Sequence, residues 1–369
     1  MSKNNWPTKK LGEICEIKTG KKDVEEGNLE GKYPFFTCSR EITYSDTYSF
    51  DTEAILIAGN GDVGNTKIYK GKFEAYQRTY VLDGFQEDIE YIYYYLIGNL
   101  KRILIQSKLG ATMPYIKKGD LENFKIPLPP FFIQQKIVKV LDTIQEAIEI
   151  QEKIIEKTKE LKKSLMAELF KYGAPSFRKG RTLKKTEIGE ILENWEVVRL
   201  GRIVKLSSGA RPEFDEEGIF PVYGANGIIG KSKKFLVDNE YTLIIGRVGA
   251  SGEIHLASGK IWISDNALYT SEVEKEKIYL PFLKDYLIWR NLKQFADRGT
   301  HPIITQTFLK NFKIPLPPLL EQQEIAEILQ TIDQKIEIEQ KKKELYEELF
   351  KTMLNKIMNQ EIDVEKIEI

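Results

Sequence analysis

Two long stretches of the chain place apolar and polar side chains in a heptad pattern. Within each stretch the inward positions recur at spacings of four and three, which brings them to one face of a helix. The sequence therefore predicts two long amphipathic helices whose stripes pair with each other, because neither helix can bury its stripe alone. The positions assigned to this pairing are Ile137, Leu141, Ile144, Ile148, Gln151 and Leu165 in the first helix, and Ile325, Leu329, Ile332, Ile336, Glu339 and Phe350 in the second.

The stripe of each helix is apolar at both ends and polar in the middle. We expect an antiparallel pair, because the second globular region begins at the far end of the first helix. This arrangement predicts that Gln151 lies near Glu339, and a buried polar position of this kind costs stability but can specify register. At a rise of 1.5 Å per residue, each helix would be roughly 60 Å long. The two globular regions would then sit at opposite ends of the helices.

An identical octapeptide precedes both helices. Asn-Phe-Lys-Ile-Pro-Leu-Pro-Pro occupies residues 123–130 and again residues 311–318, and a Gln-Gln pair follows at residues 134–135 and 322–323. Proline fits the first turn of a helix but cannot continue one, so each copy predicts a helix start. This identity indicates an internal duplication.

The regions before the two octapeptides share short segments and differ freely between them. Residues 33–36 correspond to residues 220–223. The runs at 54–58 and 241–245 are apolar or β-branched and are bounded by polar residues and glycine, which predicts strands. The helices predicted near the end of each region cover residues 89–106 and 280–295.

These elements predict an α+β fold. It has two tandem, pseudo-symmetric α/β domains separated by two long antiparallel helices that form a coiled coil. The predicted segments are residues 1–126, the first globular domain; 127–173, the first long helix; 174–314, the second globular domain; and 315–369, the second long helix with a C-terminal tail.

The join between the halves contains Gly173 followed by proline, which is typical of a helix end. A basic stretch follows at once, with Arg178 and Arg181 at its start and two lysines at 184–185. We interpret this stretch as a solvated linker rather than an arm that binds nucleic acid.

Composition excludes several classes of protein. The chain of 369 residues carries 55 Lys and Arg against 55 Asp and Glu, so a uniformly basic surface for nucleic acid is excluded, although local basic loops are not. No apolar run is long enough to span a bilayer and no hydrophobic signal region opens the chain, so we expect a cytoplasmic protein without membrane contact. In that reducing compartment, Cys15 and Cys38 are expected to be reduced thiols, although a disulfide between them is possible.

No catalytic motif stands out. Residues 59–64 match the Gly-x-Gly-x-x-Gly pattern, but a strand rather than a helix is predicted after them, and the equivalent residues 247–252 lack the first glycine. A tight turn is therefore the better interpretation. The two histidines, His255 and His301, have no partner at metal-ligand spacing. The sequence predicts neither an enzyme nor a metal site.

Polar residues that suit nucleic acid recur in matched loops of the two halves. Arginine and lysine bind guanine edges or phosphates, and asparagine and glutamine bind adenine edges. Any one of these residues alone would be interpreted as a solvated surface residue. The candidates for DNA contact are Lys18, Lys21, Lys22, Arg40, Asn60, Asn65, Lys67, Gln77 and Arg78 in the first half, and Arg211, Asn226, Lys231, Lys233, Arg247, His255 and Asn266 in the second.

The duplicated elements resemble one protein family. The repeated Ile-Pro-Leu-Pro-Pro, the Gln-Gln pair and the apolar seam, with Gly-Ala-Thr-Met-Pro at 110–114 and Gly-Thr-His-Pro at 299–302, resemble the DNA specificity subunits of type I restriction-modification systems. The resemblance covers the whole chain.

The resemblance implies two target recognition domains, each reading half of a bipartite, asymmetric double-stranded DNA site, and helices that set the spacing between them. It also implies two DNA methyltransferase (M) subunits that dock on the helices, bind S-adenosylmethionine and methylate adenine, with motor-nuclease (R) subunits joining for cleavage. No cofactor is then expected on this chain.

Other interpretations stay open at this point. A coiled-coil adaptor with paired protein-binding or glycan-binding heads would have the same helices, and the loop at residues 59–64 would suit a nucleotide-dependent enzyme. Within DNA recognition, the partner could instead fuse methylation and cleavage in one chain.

Overall fold

The chain forms two structural units, and both long helices run through the boundary between them. The computed structural model of the protein describes residues 6–105, 115–295 and 303–367. The first unit comprises Met1–Glu152 with Lys341–Ile369, and the second comprises Lys153–Gln340. This division differs from the four segments predicted above, whose boundaries remain a prediction.

A six-stranded mixed sheet forms the centre of the first unit. The strands of this unit are β1 (Thr8–Lys10), β2 (Glu16–Thr19), β3 (Tyr33–Phe36), β4 (Thr43–Ser45), β5 (Phe50–Ala58), β6 (Thr66–Ala75), β7 (Thr79–Asp83) and β8 (Lys125–Pro127). The sheet has the order β2-β7-β5-β6-β3-β4, in which β3 runs parallel to β6 and the other neighbours are antiparallel. Strand β1 pairs with β8, which belongs to the first octapeptide.

The second unit repeats this topology strand for strand. Its strands are β9 (Leu183–Thr186), β10 (Gly189–Leu192), β11 (Glu196–Arg199), β12 (Val204–Ser208), β13 (Phe220–Gly224), β14 (Gly227–Ser232), β15 (Val237–Gly246), β16 (Ile254–Ile263), β17 (Ala267–Val273) and β18 (Lys313–Leu316). The order β12-β17-β15-β16-β13-β14 again has one parallel pair, β13 with β16, and β11 pairs with β18 of the second octapeptide. The hairpin β9–β10 has no counterpart among the described residues of the first unit.

Seven α-helices accompany these strands in the described part of the chain. They are α1 (Leu11–Ile14), α2 (Ile89–Leu100), α3 (Lys118–Glu122), α4 (Phe131–Tyr172), α5 (Leu280–Trp289), α6 (Gln306–Asn311) and α7 (Leu319–Met358). The long helices α4 and α7 contain 42 and 40 residues and begin directly after the prolines of each octapeptide, as predicted.

The helices predicted over 89–106 and 280–295 are shorter in the structure. Helix α2 ends at Leu100 and the chain continues as a π-helical turn, Lys101–Ile105, while residue 106 lies outside the described residues. Helix α5 ends at Trp289 because Asn291 takes the left-handed conformation, with a φ of 49°, and asparagine is one of the few residues that does so readily.

Each unit packs its sheet and its short helices into one main apolar core. In the first unit, Tyr91 of α2 and Ile55 of β5 are fully buried in the same cluster as Leu11 of α1. In the second unit, Phe282 of α5 and Leu243 of β15 occupy the equivalent core. The aromatic residues of α2 and α5 therefore contribute to packing.

The two long helices pair antiparallel within each unit. In the first unit, Ile357 near the end of α7 shares a core with Ile137 near the start of α4. In the second unit, Leu169 near the end of α4 shares a core with Ile325 near the start of α7. The predicted proximity of Gln151 and Glu339 would join residues of different units, so it remains a prediction.

Charged residues continue this pairing where the apolar stripe gives out. In the first unit, Lys343 Nζ of α7 lies 2.7 Å from Glu152 Oε1 of α4. In the second unit, Lys162 Nζ of α4 lies 2.6 Å from Asp333 Oδ1 of α7. The prediction that the middle of each stripe is polar therefore corresponds to ion pairs between the two helices.

The first glutamine of each repeated pair is buried, and its hydrogen bonds link the start of a long helix to the start of a helix in the adjacent domain. Gln134 accepts from the backbone N–H of Asp88, just before α2, at 3.1 Å, and donates to the carbonyl oxygen of Pro129 at 2.9 Å. Gln322 makes the equivalent bonds, from Tyr279 N at 2.9 Å and to Pro317 O at 2.8 Å. Both side chains are fully buried, so their amides replace the water that these backbone groups would otherwise bind.

The interpretation of the basic stretch after Gly173 as a solvated linker is wrong for its two arginines. Arg178 Nε donates to Gly173 O at 2.9 Å, and Arg178 also bonds Glu168. Arg181 Nη1 donates at 2.8 Å to Oε2 of Glu321, a carboxylate that is fully buried. Part of this stretch is therefore attached to the fold, because a fully buried carboxylate at the start of α7 requires a partner.

The remaining sequence expectations concern cysteines, membrane contact and two motifs. Cys15 and Cys38 are both free thiols. Across the three described ranges, no helix is both long and apolar enough to cross a bilayer. The motifs at 110–114 and 299–302, and with them His301, lie outside the described residues.

Candidate nucleic-acid interface

Four loops of the first unit meet through backbone hydrogen bonds and form one surface, called here the first loop surface. The loops are residues 20–23, 37–42, 59–65 and 76–78. The N–H of Gly59 donates to Arg78 O at 2.9 Å, and the N–H of Gln77 donates to Lys22 O at 3.0 Å. Polar side chains from distant parts of the sequence are therefore held side by side.

Glycine is required where two of these loops approach most closely. A Cβ on Gly20 would lie 1.9 Å from the carbonyl oxygen of Ala75, and a Cβ on the equivalent Gly209 would lie 2.1 Å from Ser264 O. Real Cβ atoms cannot come so close to a backbone oxygen. The dipeptides Thr19-Gly20 and Ser208-Gly209 therefore mark equivalent points of close backbone approach in the two domains.

Most of the candidates in the first domain lie on or beside the first loop surface. They are Lys21, Lys22, Arg40, Asn60, Asn65, Lys67, Gln77 and Arg78. Lys18 does not join them, because its Nζ lies 2.8 Å from Glu16 Oε2 and 3.0 Å from Asp83 Oδ1, and it lines a separate cleft with Lys10 and Glu13. The assignment of each candidate to DNA contact stays a prediction.

Internal hydrogen bonds already engage some of these candidates. Lys22 Nζ donates to Ser45 Oγ at 3.0 Å and to Thr47 Oγ1 at 2.7 Å. Gln77 Nε2 donates to Asp23 Oδ2 at 2.9 Å. These contacts hold the loops together, so part of the polar chemistry that the sequence offered for binding serves the loop surface itself.

One ion pair on the first loop surface was missed by the sequence reasoning. Arg40 Nε donates to Asp62 Oδ2 at 2.9 Å, and Lys101 Nζ lies 3.1 Å from Asp62 Oδ1. The hydrogen bond from Arg40 holds the pKa of the Asp62 carboxyl below its usual range, so the carboxylate stays ionised. The position of Asp62 inside a glycine turn was the available signal, but nothing local points to Lys101.

The second unit builds an equivalent surface, called here the second loop surface, from residues 209–211, 225–226, 247–253 and 264–266. The N–H of Arg247 donates to Asn266 O at 2.9 Å. The ring of His255 lies beside Gly227, where a Cβ would be 3.5 Å from Cε1 of the histidine. The candidates Arg211, Asn226, Arg247, His255 and Asn266 lie on or beside this surface.

Two lysines of the second domain lie apart from that surface. Lys231 is on β14, several residues beyond the β13–β14 turn. Lys233 follows it and lies 3.0 Å from Asp215 Oδ2 and 2.9 Å from Glu217 Oε2. These ion pairs are open to solvent, and such pairs contribute little to stability.

The two loop surfaces share a backbone frame and differ in their side chains. Gly61 and Gly64 have φ values of 62° and 74°, and their counterparts Gly249 and Gly252 have 81° and 82°. The residue after the first glycine is Asp62 in one domain, whereas alanine stands at 250 in the other. The same turn therefore presents different chemistry in each half.

The loop geometry excludes the simplest alternative for residues 59–64. They form a turn that is followed by strand β6, so the helix N-terminus that a dinucleotide phosphate would need is absent here, as the sequence predicted. Among the residues that the structure describes, no group of three or more His, Cys, Asp or Glu could hold a metal ion. What both surfaces offer is hydrogen-bond donors and amides that suit base edges and phosphates.

Comparison with known sequences points in one direction. The sequence profile of the family described as Type I restriction modification DNA specificity domain matches residues 3–160 and 192–348. The chain is 28% identical over 360 residues to the type I restriction enzyme EcoDI specificity subunit of Escherichia coli, covering 87% of this chain and 80% of that protein. It is 32% identical over 316 residues to the putative type I restriction enzyme MjaX specificity subunit of Methanocaldococcus jannaschii, covering 80% and 70%.

A solved structure supports the fold. The crystal structure of a type I restriction-modification system S subunit from M. genitalium matches with a TM-score of 0.63 at 21% identity, covering 97% of both chains. The predicted fold class, two tandem α+β domains with two long helices, is confirmed. The double match of the family profile also confirms that the chain is an internal duplication.

Proposed function

Because the chain belongs to the family of type I restriction modification DNA specificity domains, we propose that it is the sequence-specific DNA recognition subunit of a type I restriction-modification complex. The observation that carries this proposal is one sheet topology, used twice, beneath two loop surfaces of different chemistry. Each recognition domain reads one half of a bipartite, asymmetric site in double-stranded DNA. Different side chains in the same frame would give the two halves different sequences.

The charge of the chain suits a subunit that does not bind DNA alone. With 55 basic and 55 acidic residues, it has no general attraction for phosphates. Phosphate contacts usually supply much of the affinity for DNA, so the partner subunits would supply them here. The isolated chain should therefore bind DNA weakly, and its complex with the methyltransferase should bind tightly and specifically.

The long helices are proposed to set the distance between half-sites and to dock two methyltransferase (M) subunits. Their 42 and 40 residues correspond to roughly 60 Å of helix at 1.5 Å per residue. Apolar side chains stay exposed along them, with Ile150 and Leu161 of α4 at 56% and 58%, and Ile338 and Leu345 of α7 at 56% and 64%. Exposed apolar residues in such number are what a partner helix or domain would cover.

Catalysis is assigned to the partners. The M subunits would bind S-adenosylmethionine and methylate adenine, and motor-nuclease (R) subunits would join for cleavage. This chain would bind no cofactor and contribute no catalytic residue, and the whole assembly would act on DNA in the cytoplasm.

Base-resolution mapping of DNA methylation, in cells with and without the gene, tests the proposal. A split, asymmetric motif whose methylation disappears on deletion is the expected result. An unchanged methylation pattern, together with equal DNA binding of the chain with and without an M subunit, would contradict it. A coiled-coil adaptor for proteins or glycans would leave the methylation pattern unchanged and would bind DNA equally with and without an M subunit.

A further inference from the structure

One arginine of the first loop surface is held in place at two points and still faces solvent. Arg40 lies in the connection between β3 and β4, and its side chain is 82% exposed. Its Nε donates to Asp62 Oδ2 at 2.9 Å, and Asp62 is itself only 27% exposed and contacts Lys101 Nζ at 3.1 Å. Lys101 thus fixes the Asp62 carboxylate, and this carboxylate in turn orients the Arg40 guanidinium.

The backbone of the same residue is also fixed. Lys67 Nζ, from the neighbouring strand β6, donates to the carbonyl oxygen of Arg40 at 2.8 Å and to that of Ser39 at 3.1 Å. An arginine side chain carries considerable rotamer entropy, which binding normally removes. Because Arg40 is restrained at its backbone and at Nε, less of that entropy is left to lose.

The terminal nitrogens of Arg40 remain available. Within the described residues, Nη1 and Nη2 of Arg40 donate to no protein group. Two parallel N–H groups at the tip of a fixed guanidinium match the O6 and N7 acceptors of guanine in the major groove, which is the commonest specific contact between proteins and DNA. They would also match two phosphate oxygens, so the two targets have to be weighed.

The neighbouring carboxylate favours the base over the phosphate. Asp62 lies within hydrogen-bond distance of the guanidinium and, through Nε, fixes the direction in which the terminal N–H groups point. Guanine O6 and N7 are uncharged acceptors, and their recognition depends on the direction of the N–H bonds. A carboxylate that orients an arginine therefore improves the geometry for a base.

We propose that Arg40 reads a guanine in the half-site of the first recognition domain, with Asp62 as the residue that positions it. This inference rests on the proposed function. The second domain has a shorter β13–β14 turn and alanine at 250 in place of the aspartate, so it lacks this pair. The effect of Arg40 should therefore be confined to one half-site.

The test uses the full chain in complex with its M subunits. Methylation motifs are mapped for the unchanged protein and for Arg40→Ala, Arg40→Lys and Asp62→Asn. Arg40→Ala should relax one guanine position of one half-site, with about a 10- to 100-fold loss of discrimination there, and leave the other half-site unchanged. Asp62→Asn should relax the same position by a smaller factor.

A matched control is Lys70→Ala. Lys70 is another exposed cation beside a carboxylate, 3.3 Å from Glu53 Oε2, but it lies on β6 away from the first loop surface. This variant should keep the motif intact. A second measurement needs no variant: the unchanged complex should methylate DNA less when the guanine at that position is replaced by 7-deazaguanine, which lacks the N7 acceptor.

The outcomes separate this inference from the function on which it rests. A uniform fall in methylation with no relaxed position would identify Arg40 as a phosphate contact and overturn the inference. An unchanged motif with Arg40→Ala, or no effect of 7-deazaguanine at any guanine of that half-site, would overturn it as well. Only the absence of any gene-dependent motif for the unchanged protein would count against the proposed function itself.

Discussion

Replacing Gln134 by alanine is expected to destabilise the first unit by about 3 to 5 kcal/mol. The amide joins three groups: it accepts from Asp88 N at 3.1 Å, and donates to Pro129 O at 2.9 Å and to Glu87 Oε2 at 3.0 Å. Alanine would remove all three bonds from a position that has no solvent exposure. The start of α2 and the start of α4 would then lose the hydrogen bonds that link them.

The magnitude follows from what is left behind. A buried donor or acceptor without a partner costs about 1–3 kcal/mol, and here two backbone groups lose theirs. Glu87 loses less, because its side chain is 18% exposed and remains 3.2 Å from Lys9 Nζ. The shorter side chain also leaves a small cavity, which adds to the cost.

Hydrogen exchange during urea unfolding is the appropriate assay, because a chain with two units need not unfold in one step. The amides of the first turn of α2, and that of Asp88, should exchange faster in Gln134→Ala. Gln135→Ala is the matched control, since that neighbouring side chain is exposed and should change stability by less than about 0.5 kcal/mol. Equal stability of the two variants, with unchanged exchange at Asp88, would refute the reasoning.

Other positions give contrasting pairs of outcomes. Arg181→Ala removes the cation from a fully buried carboxylate, so the free energy of unfolding of the second unit in urea should fall by about 3 kcal/mol or more. The control Lys179→Ala changes an exposed residue and should alter that free energy by less than about 0.5 kcal/mol. Similar unfolding midpoints for the two variants would contradict this prediction. Gly20→Ala places a Cβ 1.9 Å from a carbonyl oxygen and should abolish folding or lower the melting temperature steeply, while Gly119→Ala, with open space in α3, should leave it unchanged or raise it. Burial, helped by the charge of a nearby aspartate, raises the pKa of Cys15 to about 12, so at pH 8 only about one thiol in ten thousand is the reactive thiolate. With the other cysteine replaced by serine, mass spectrometry should therefore find Cys15 unmodified by iodoacetamide until urea is added, and equally rapid labelling of folded and unfolded protein would refute the assignment.

The long-range plan of the chain could be predicted because it is written as periodicity and repetition. The heptad spacing after each proline cluster predicted α4 and α7, and the repeated octapeptide predicted two equivalent domains. The glycine turn at 59–64 was predicted as a turn because a strand pattern follows it. All of these signals are local in sequence or exact repeats of each other.

What could not be predicted depends on contacts between distant residues. Arg181 and Glu321 are 140 residues apart in the sequence. Nothing near Arg181 in the sequence therefore showed that this basic stretch contacts the folded domain. Lys233 contacts Asp215 and Glu217, and nothing in the sequence indicated these ion pairs; its assignment to DNA contact stays a prediction. Helix ends were also misplaced, since the left-handed Asn291 leaves no clear mark in the hydropathy pattern.

The place where each octapeptide joins its domain has a consequence for how such chains can change over time. Strands β8 and β18 pair with β1 and β11 through backbone hydrogen bonds, and the buried glutamines bond to main-chain groups. These hydrogen bonds do not depend on the identity of most side chains in the domain. Genetic exchange at the two identical segments could therefore replace one recognition domain without changing its attachment to the long helix. A new DNA specificity would then arise in a single event.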